Sequence, residues 1–113
     1  MVERAKIKTL RFAEAYLKKL KSGKKLMTIR KGKKDFKVGD LVRIIAGNKK
    51  VGIARIVKIE TKKFGEITKA DAIKDGFKSK RKLREALKKH YKKIKSQDLF
   101  TLIEFEWVTK STS

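Results

Sequence analysis

Lys25, Thr28 and Arg30, set three and two residues apart in the stretch Gly23-Lys24-Lys25-Leu26-Met27-Thr28-Ile29-Arg30, are the residues of this chain best suited to chemistry. Like charges at Lys24 and Arg30, and partial burial, disfavour the protonated form of Lys25, which suits it to act as a base. The Thr28 hydroxyl is a poor nucleophile alone and would need such a base. Arg30 offers a planar fork that fits a phosphate or the edge of a nucleobase. Asp75, in the step Asp75-Gly76-Phe77, is a candidate fourth member. Polar groups on one strand face beside apolar neighbours outline a partly enclosed polar pocket.

The elements that must position these groups follow from local pattern. Phe12, Tyr16, Leu17 and Leu20 recur at helical spacing and predict a helix over Thr9 to Lys21, with Lys18, Lys19 and Lys21 outward. Gly23 is a natural stop, since a helix C-terminus turns through the left-handed region that glycine enters cheaply. Leu26 to Arg30 reads as a strand with Lys25, Met27 and Ile29 on one face and Leu26, Thr28 and Arg30 on the other. Lys31 to Lys37 reads as a loop that could lie over a ligand, and Val38-Gly39-Asp40 as a turn opening the next strand. Leu41 to Ala46 and Val51 to Thr61 are β-branched runs joined through Gly47-Asn48-Lys49-Lys50, a predicted hairpin, with Gly52 marking a bulge or a close backbone approach.

Thr68 and Asp71 form a capping-box pair for a short helix ending near Gly76, and Ser79 suits the cap of a longer one. Leu83, Ala86, Leu87, Tyr91 and Ile94 trace one apolar stripe along it, and the lone His90 at its edge reads as a packing residue. Asp98 to Val108 alternates with apolar residues on both faces for half its length, as a central strand does. Residues 110–113 read as a frayed tail.

The order Gly-x-Lys-x-x-Thr-x-Arg, followed by Val38-Gly39-Asp40 and the elements above, resembles the ASCH domain of the PUA-like group over nearly the whole chain. The resemblance implies an α+β fold, a small PUA-like β-barrel of mixed or antiparallel strands with flanking α-helices, formed as a single domain over residues 1–113. It also implies a cleft for RNA, nucleotides or modified nucleosides. Some small bacterial members use a Lys, a Thr and a Glu to hydrolyse the amide of N4-acetylcytidine. The first two correspond to Lys25 and Thr28. The acidic position falls best on Asp75, one methylene shorter, and a carboxylate misplaced by ~1 Å can cost on the order of a hundredfold in rate.

Composition bounds the partners independently. The 113 residues hold 34 Lys and Arg against 12 Asp and Glu, a formal charge of +22, which attracts polyanions and makes nucleic acid the first expectation. Two segments concentrate that charge. Lys74 to Lys95 carries 11 basic and 2 acidic residues, and Lys18 to Lys37 carries 10 and 1. Within them Lys24, Lys33, Lys34, Lys80, Arg81, Arg84, Lys88 and Lys92 are the candidate phosphate contacts. Phe36 and Phe77, in glycine- and lysine-rich segments, are candidate stacking residues of the cleft beside Lys25, Thr28 and Arg30.

With no Cys and one His, thiolate and histidine-rich metal centres are excluded, and no acid cluster suggests a carboxylate site. No cofactor is expected. No apolar run nears the ~18 residues of a membrane span, so a cytosolic monomer without membrane contact is the expectation. Few amides and many lysines fit the bias of hyperthermophile proteins. The favoured reading is RNA or nucleotide binding. The alternatives are an amidohydrolase acting on N4-acylated cytidine, and a basic module docking on a ribosomal or transcription partner.

Overall fold

The computed structural model describes residues 7–110. In chain order these form β1 (Lys8–Phe12), a 3-10 turn at Glu14–Tyr16, α1 (Leu17–Ser22), β2 (Met27–Lys31), β3 (Leu41–Ala46), β4 (Lys49–Lys63), a 3-10 turn at Phe64–Glu66, α2 (Lys69–Lys74), α3 (Lys80–His90) and β5 (Leu99–Lys110). The helix expected from Thr9 onward is therefore confined to its second half. Leu10 and Phe12 are buried on either side of an exposed Arg11, a period-2 pattern, because β1 lies parallel to β3 in the register Leu10↔Ile44 and Phe12↔Ala46. Pairing with a strand some thirty residues away outweighs the local helical spacing. α1 does stop at Gly23, which sits at φ 80° and donates its N–H to the Leu20 carbonyl.

One mixed sheet carries the fold, in the order β1-β3-β4-β5-β2, parallel at β1–β3 and antiparallel elsewhere. Its two edge strands curl towards each other, and the Arg30 Nη2 of β2 donates to the Arg11 carbonyl of β1 at 2.6 Å. The result is a half-barrel whose seam is closed by a side chain. Register shifts within β3–β4 and β4–β5 leave Val51, Val57 and Val108 as extra residues, and such bulges tighten the twist that a curled sheet needs. At Gly52 the close approach is real, since a Cβ there would run into the Thr109 carbonyl. The β3–β4 turn is shorter than expected: Gly47 and Asn48 alone form it, and Lys49 already pairs with Ala46.

β5 divides the interior. Ile103 and Phe105 join Leu10, Leu20, Ile44 and Ile56 in one core, while Phe100 and Leu102 join Met27, Ile29, Leu83 and Leu87 in a second core under the helices. That is why β5 is apolar on both faces. α2 begins with the expected reciprocal cap, Thr68 Oγ1 accepting from the Asp71 N–H and the Asp71 carboxylate accepting from the Thr68 N–H. Ser79 caps α3. The apolar stripe outlives that helix: α3 ends at His90, Tyr91 is extended, and Ile94 returns to the second core after the bend. Lys110 belongs to β5 and not to a tail, while residues 111–113 lie outside the described residues. Among the described residues no helix is long and apolar enough to cross a membrane.

Candidate functional site

Lys25 precedes β2, so strand alternation does not govern it. Its N–H donates to the Lys19 carbonyl at the end of α1, and its side chain enters the same cleft as Thr28 and Arg30, which alternation alone had placed on the opposite face. There the ammonium donates to Asp75 Oδ1 at 2.6 Å and to the Asp75 carbonyl at 2.8 Å. Aromatic rings surround it, with the centroids of Tyr16, Phe77 and Phe12 at 4.8, 5.5 and 5.6 Å. Asp75 is delivered by the end of α2. The chain turns sharply after it at Gly76, where φ is 92° and a Cβ would press within 3.4 Å of the Lys25 side chain.

Burial dominates the electrostatics of this pair, whose side chains are 3% and 4% exposed. Desolvation pushes the Asp75 carboxyl up to about 6 although Lys25 opposes the shift. Desolvation likewise lowers Lys25, against the pull of Asp75 and with help from Lys19 and Arg30. The two groups thus approach one another in proton affinity, and moving the proton from Lys25 to Asp75 is less uphill than between the free groups.

Thr28 and Arg30 share a face of β2 as their alternation requires. Thr28 is buried, and its Oγ1 accepts from Arg30 Nε at 3.1 Å. The guanidinium lies 5.2 Å from the Phe12 ring centroid while its Nη2 spans the seam to Arg11. Around these groups lies a cleft of about 190 Å³, walled by Tyr16, Phe77 and Tyr91 and opening beside His90. His90 is exposed at this rim, edge-on to Tyr91 at 6.4 Å, and so is not the packing residue its helical position suggested. Tyr91 in turn is pinned by the Lys31 N–H, which donates to its hydroxyl at 3.3 Å.

Phe77 lines this cleft. Phe36 does not join the cleft; it is half-buried against the core of the half-barrel, with Lys8 Nζ 5.4 Å from its ring centroid. Lys24, Lys33 and Lys34 are exposed on loops, and Arg81, Arg84, Lys88 and Lys92 are exposed on α3 or just past it. Lys80 and Arg84 each sit 5.5 Å from the Phe64 ring centroid, and Arg81 faces Glu85 at 3.6 Å. Sequence reasoning missed Arg11, Phe12, Tyr16, His90 and Tyr91 as cleft residues. The first two belong to a strand it took for helix, and a lone histidine at a helix end carries no signal of its own. Among the described residues no three of His, Cys, Asp and Glu gather in one place, and the cleft presents amine, hydroxyl, guanidinium, carboxyl and imidazole groups.

A model of the ASCH domain family matches residues 5–109. Several solved structures share the fold. The ASCH domain from Lactobacillus crispatus JV V101 superposes with a TM-score of 0.77 at 15% identity, covering 92% of this chain and 81% of that one. Protein EF3133 of Enterococcus faecalis V583 gives 0.73 at 17% identity over 99% and 86% of the two chains. The S128A mutant of the ASCH protein from Zymomonas mobilis gives 0.70 at 13% identity over 96% and 73%. No curated protein matches the sequence.

Proposed function

The chain belongs to the ASCH domain family, and from that premise we propose that its cleft receives one base of an RNA or of a nucleotide-like ligand. The observation that carries this reading is the juxtaposition of the Lys25–Asp75 pair with the Thr28–Arg30 pair inside aromatic walls. A nucleobase is planar and apolar on its faces, which suits Tyr16, Phe77 and Tyr91, and its edge carries the donors and acceptors that Thr28 and Arg30 complement. The volume of about 190 Å³ is below the ~300–1,000 Å³ of pockets for larger ligands, which favours one base or nucleoside. Lys88, Lys92 and the other exposed cations of α3, with Lys33 and Lys34 on the loop after β2, contact phosphates. Such a ligand goes with a cytosolic location.

The test is titration of cytidine, uridine and adenosine into the protein and into Thr28→Val, with ribose as control. Nucleoside binding that the substitution weakens, and no binding of ribose, is expected. Equal affinity for ribose and nucleosides ends the base-binding reading.

A second reading, hydrolysis of an N4-acylated cytidine, is favoured by one observation: the shorter Asp75 still reaches Lys25. With the proton passed to Asp75, the neutral amine of Lys25 takes the Thr28 proton as Oγ1 attacks the acyl carbon. The C–N bond breaks, the exocyclic amine leaves with a proton from Lys25, and water then releases the acid from Thr28. Turnover of N4-acetylcytidine by the wild type that vanishes in Thr28→Ala supports this reading. Absence of turnover in wild type removes it and leaves binding.

A further inference from the structure

Phe77 also lines a second depression, an open groove of about 870 Å³ with Ile73 on its floor and Lys24, Lys69, Lys78 and Lys82 on its rim. Ile73 is 53% exposed there, an apolar surface ringed by cations. The fifth lysine of the groove, Lys19, is already committed: its ammonium donates to the Gly76 carbonyl at 2.7 Å and lies 4.6 Å from the Phe77 ring centroid. The remaining four are exposed. Among the described residues Lys24, Lys69 and Lys78 have no carboxylate partner, and Lys82 has Glu85 at the limit of 3.9 Å. The carboxylates nearby in the fold are engaged elsewhere: Asp71 with Lys62 at 2.8 Å, Asp75 with Lys25, and Glu104 with Lys74 at 2.8 Å. Among the described residues the positive field of the groove is therefore largely uncompensated.

We propose that this groove receives the nucleotides flanking the base held in the cleft, so that the ligand is a single-stranded RNA segment and not a free nucleoside. The proposal rests on the base-binding reading of the cleft. Phosphodiester anions match the four ammonium groups, and unstacked bases match the exposed apolar surface of Ile73 beside the half-buried Phe77. With more than four times the volume of the cleft, the groove has room for more than one nucleotide. Phe77 borders both spaces, which places the groove next to the cleft. A free nucleoside carries no charge for these lysines to meet, and an acidic peptide brings charge without planar faces.

The experiment compares cytidine with a cytidine hexanucleotide on wild type, on the pair Lys78→Glu and Lys82→Glu, and on a control pair at the β3–β4 hairpin, Lys49→Glu and Lys50→Glu. The hexanucleotide is expected to bind wild type at least tenfold tighter than cytidine. The groove pair should lose about tenfold for the hexanucleotide and keep its cytidine affinity. Its salt slope should be shallower by about 1.4, for two contacts at ~0.7 each on single strands. Equal losses in the groove and hairpin pairs overturn the groove, as does a hexanucleotide that binds no tighter than cytidine. Tighter binding of poly-glutamate than of the hexanucleotide at the same salt also overturns it and assigns the surface to an acidic protein. Cytidine binding with an unaffected hexanucleotide sinks the groove alone, whereas failure of both ligands to bind wild type sinks the cleft reading as well.

Discussion

The Lys25 ammonium lies 2.6 Å from Asp75 Oδ1, with both side chains almost wholly withdrawn from water. Neither charge can find solvent if the other is removed. Asp75→Leu or Lys25→Met alone should therefore cost about 3–5 kcal/mol of folding stability, while the two together should cost clearly less than the larger single loss. Urea unfolding of the three variants measures this. Single costs below about 1 kcal/mol would mean that water reaches the pair.

The same pair predicts an unusual pH response. The Asp75 carboxyl, pushed up to about 6 by burial, holds its proton more tightly in the folded than in the unfolded chain. Its stabilising contribution is complete below about 3.9, the unfolded value, and is lost as pH rises through about 6. A shift of about two units corresponds to on the order of 3 kcal/mol. Wild type should lose stability relative to Asp75→Asn between pH 4 and pH 7, in denaturant melts at fixed salt. Lys25, lowered in the fold, acts with the opposite sign at the alkaline end, where stability recovers as the unfolded chain too gives up its proton. A wild type that gains on Asp75→Asn between pH 4 and pH 7 would contradict the assignment.

Thr28→Val keeps the shape of the side chain and deletes the acceptor that Arg30 Nε uses at 3.1 Å. A half-buried guanidinium N–H left unpaired costs about 1–3 kcal/mol. A melting scan should find that loss of stability, and calorimetry a separate loss of nucleoside affinity from the missing hydroxyl contact. Unchanged affinity would show that Thr28 is not a ligand contact.

Lys88 and Lys92 are exposed cations on and just beyond α3. Replacing both with Ala should weaken RNA binding to every sequence alike and flatten the salt slope by about 1.4 on single strands. Fluorescence anisotropy with two unrelated oligonucleotides at four salt concentrations decides it. Unchanged affinity would remove α3 from the interface.

Local signals in the sequence located three of the caps. Gly23, the Thr68 and Asp71 box and Ser79 each act through bonds spanning a few residues, and each performs in the fold the part its type suggested. β5 was legible too, because a strand between two cores must be apolar on both faces. β1 was not, since its strand character comes from parallel pairing with β3 and leaves no local trace stronger than the helical spacing of Phe12 and Tyr16. Within the cleft, Thr28 and Arg30 followed from alternation, but Lys25 precedes the strand and turns on its own. Its partner Asp75 lies fifty residues on, at a helix end, and the resemblance to a family rather than any spacing drew attention to it.

Arg30 serves as a clasp. One guanidinium touches the Thr28 hydroxyl inside the cleft and the Arg11 carbonyl across the open seam of the sheet. On the base-binding reading, a guest that engages Arg30 would therefore be coupled to closure of the hoop. A guest that accepts from Nε alone leaves the clasp fastened and tightens the whole rim, whereas one that claims the entire fork must prise the two edge strands apart. On that reading the sheet itself, and not only the lining of its pocket, would discriminate between guests.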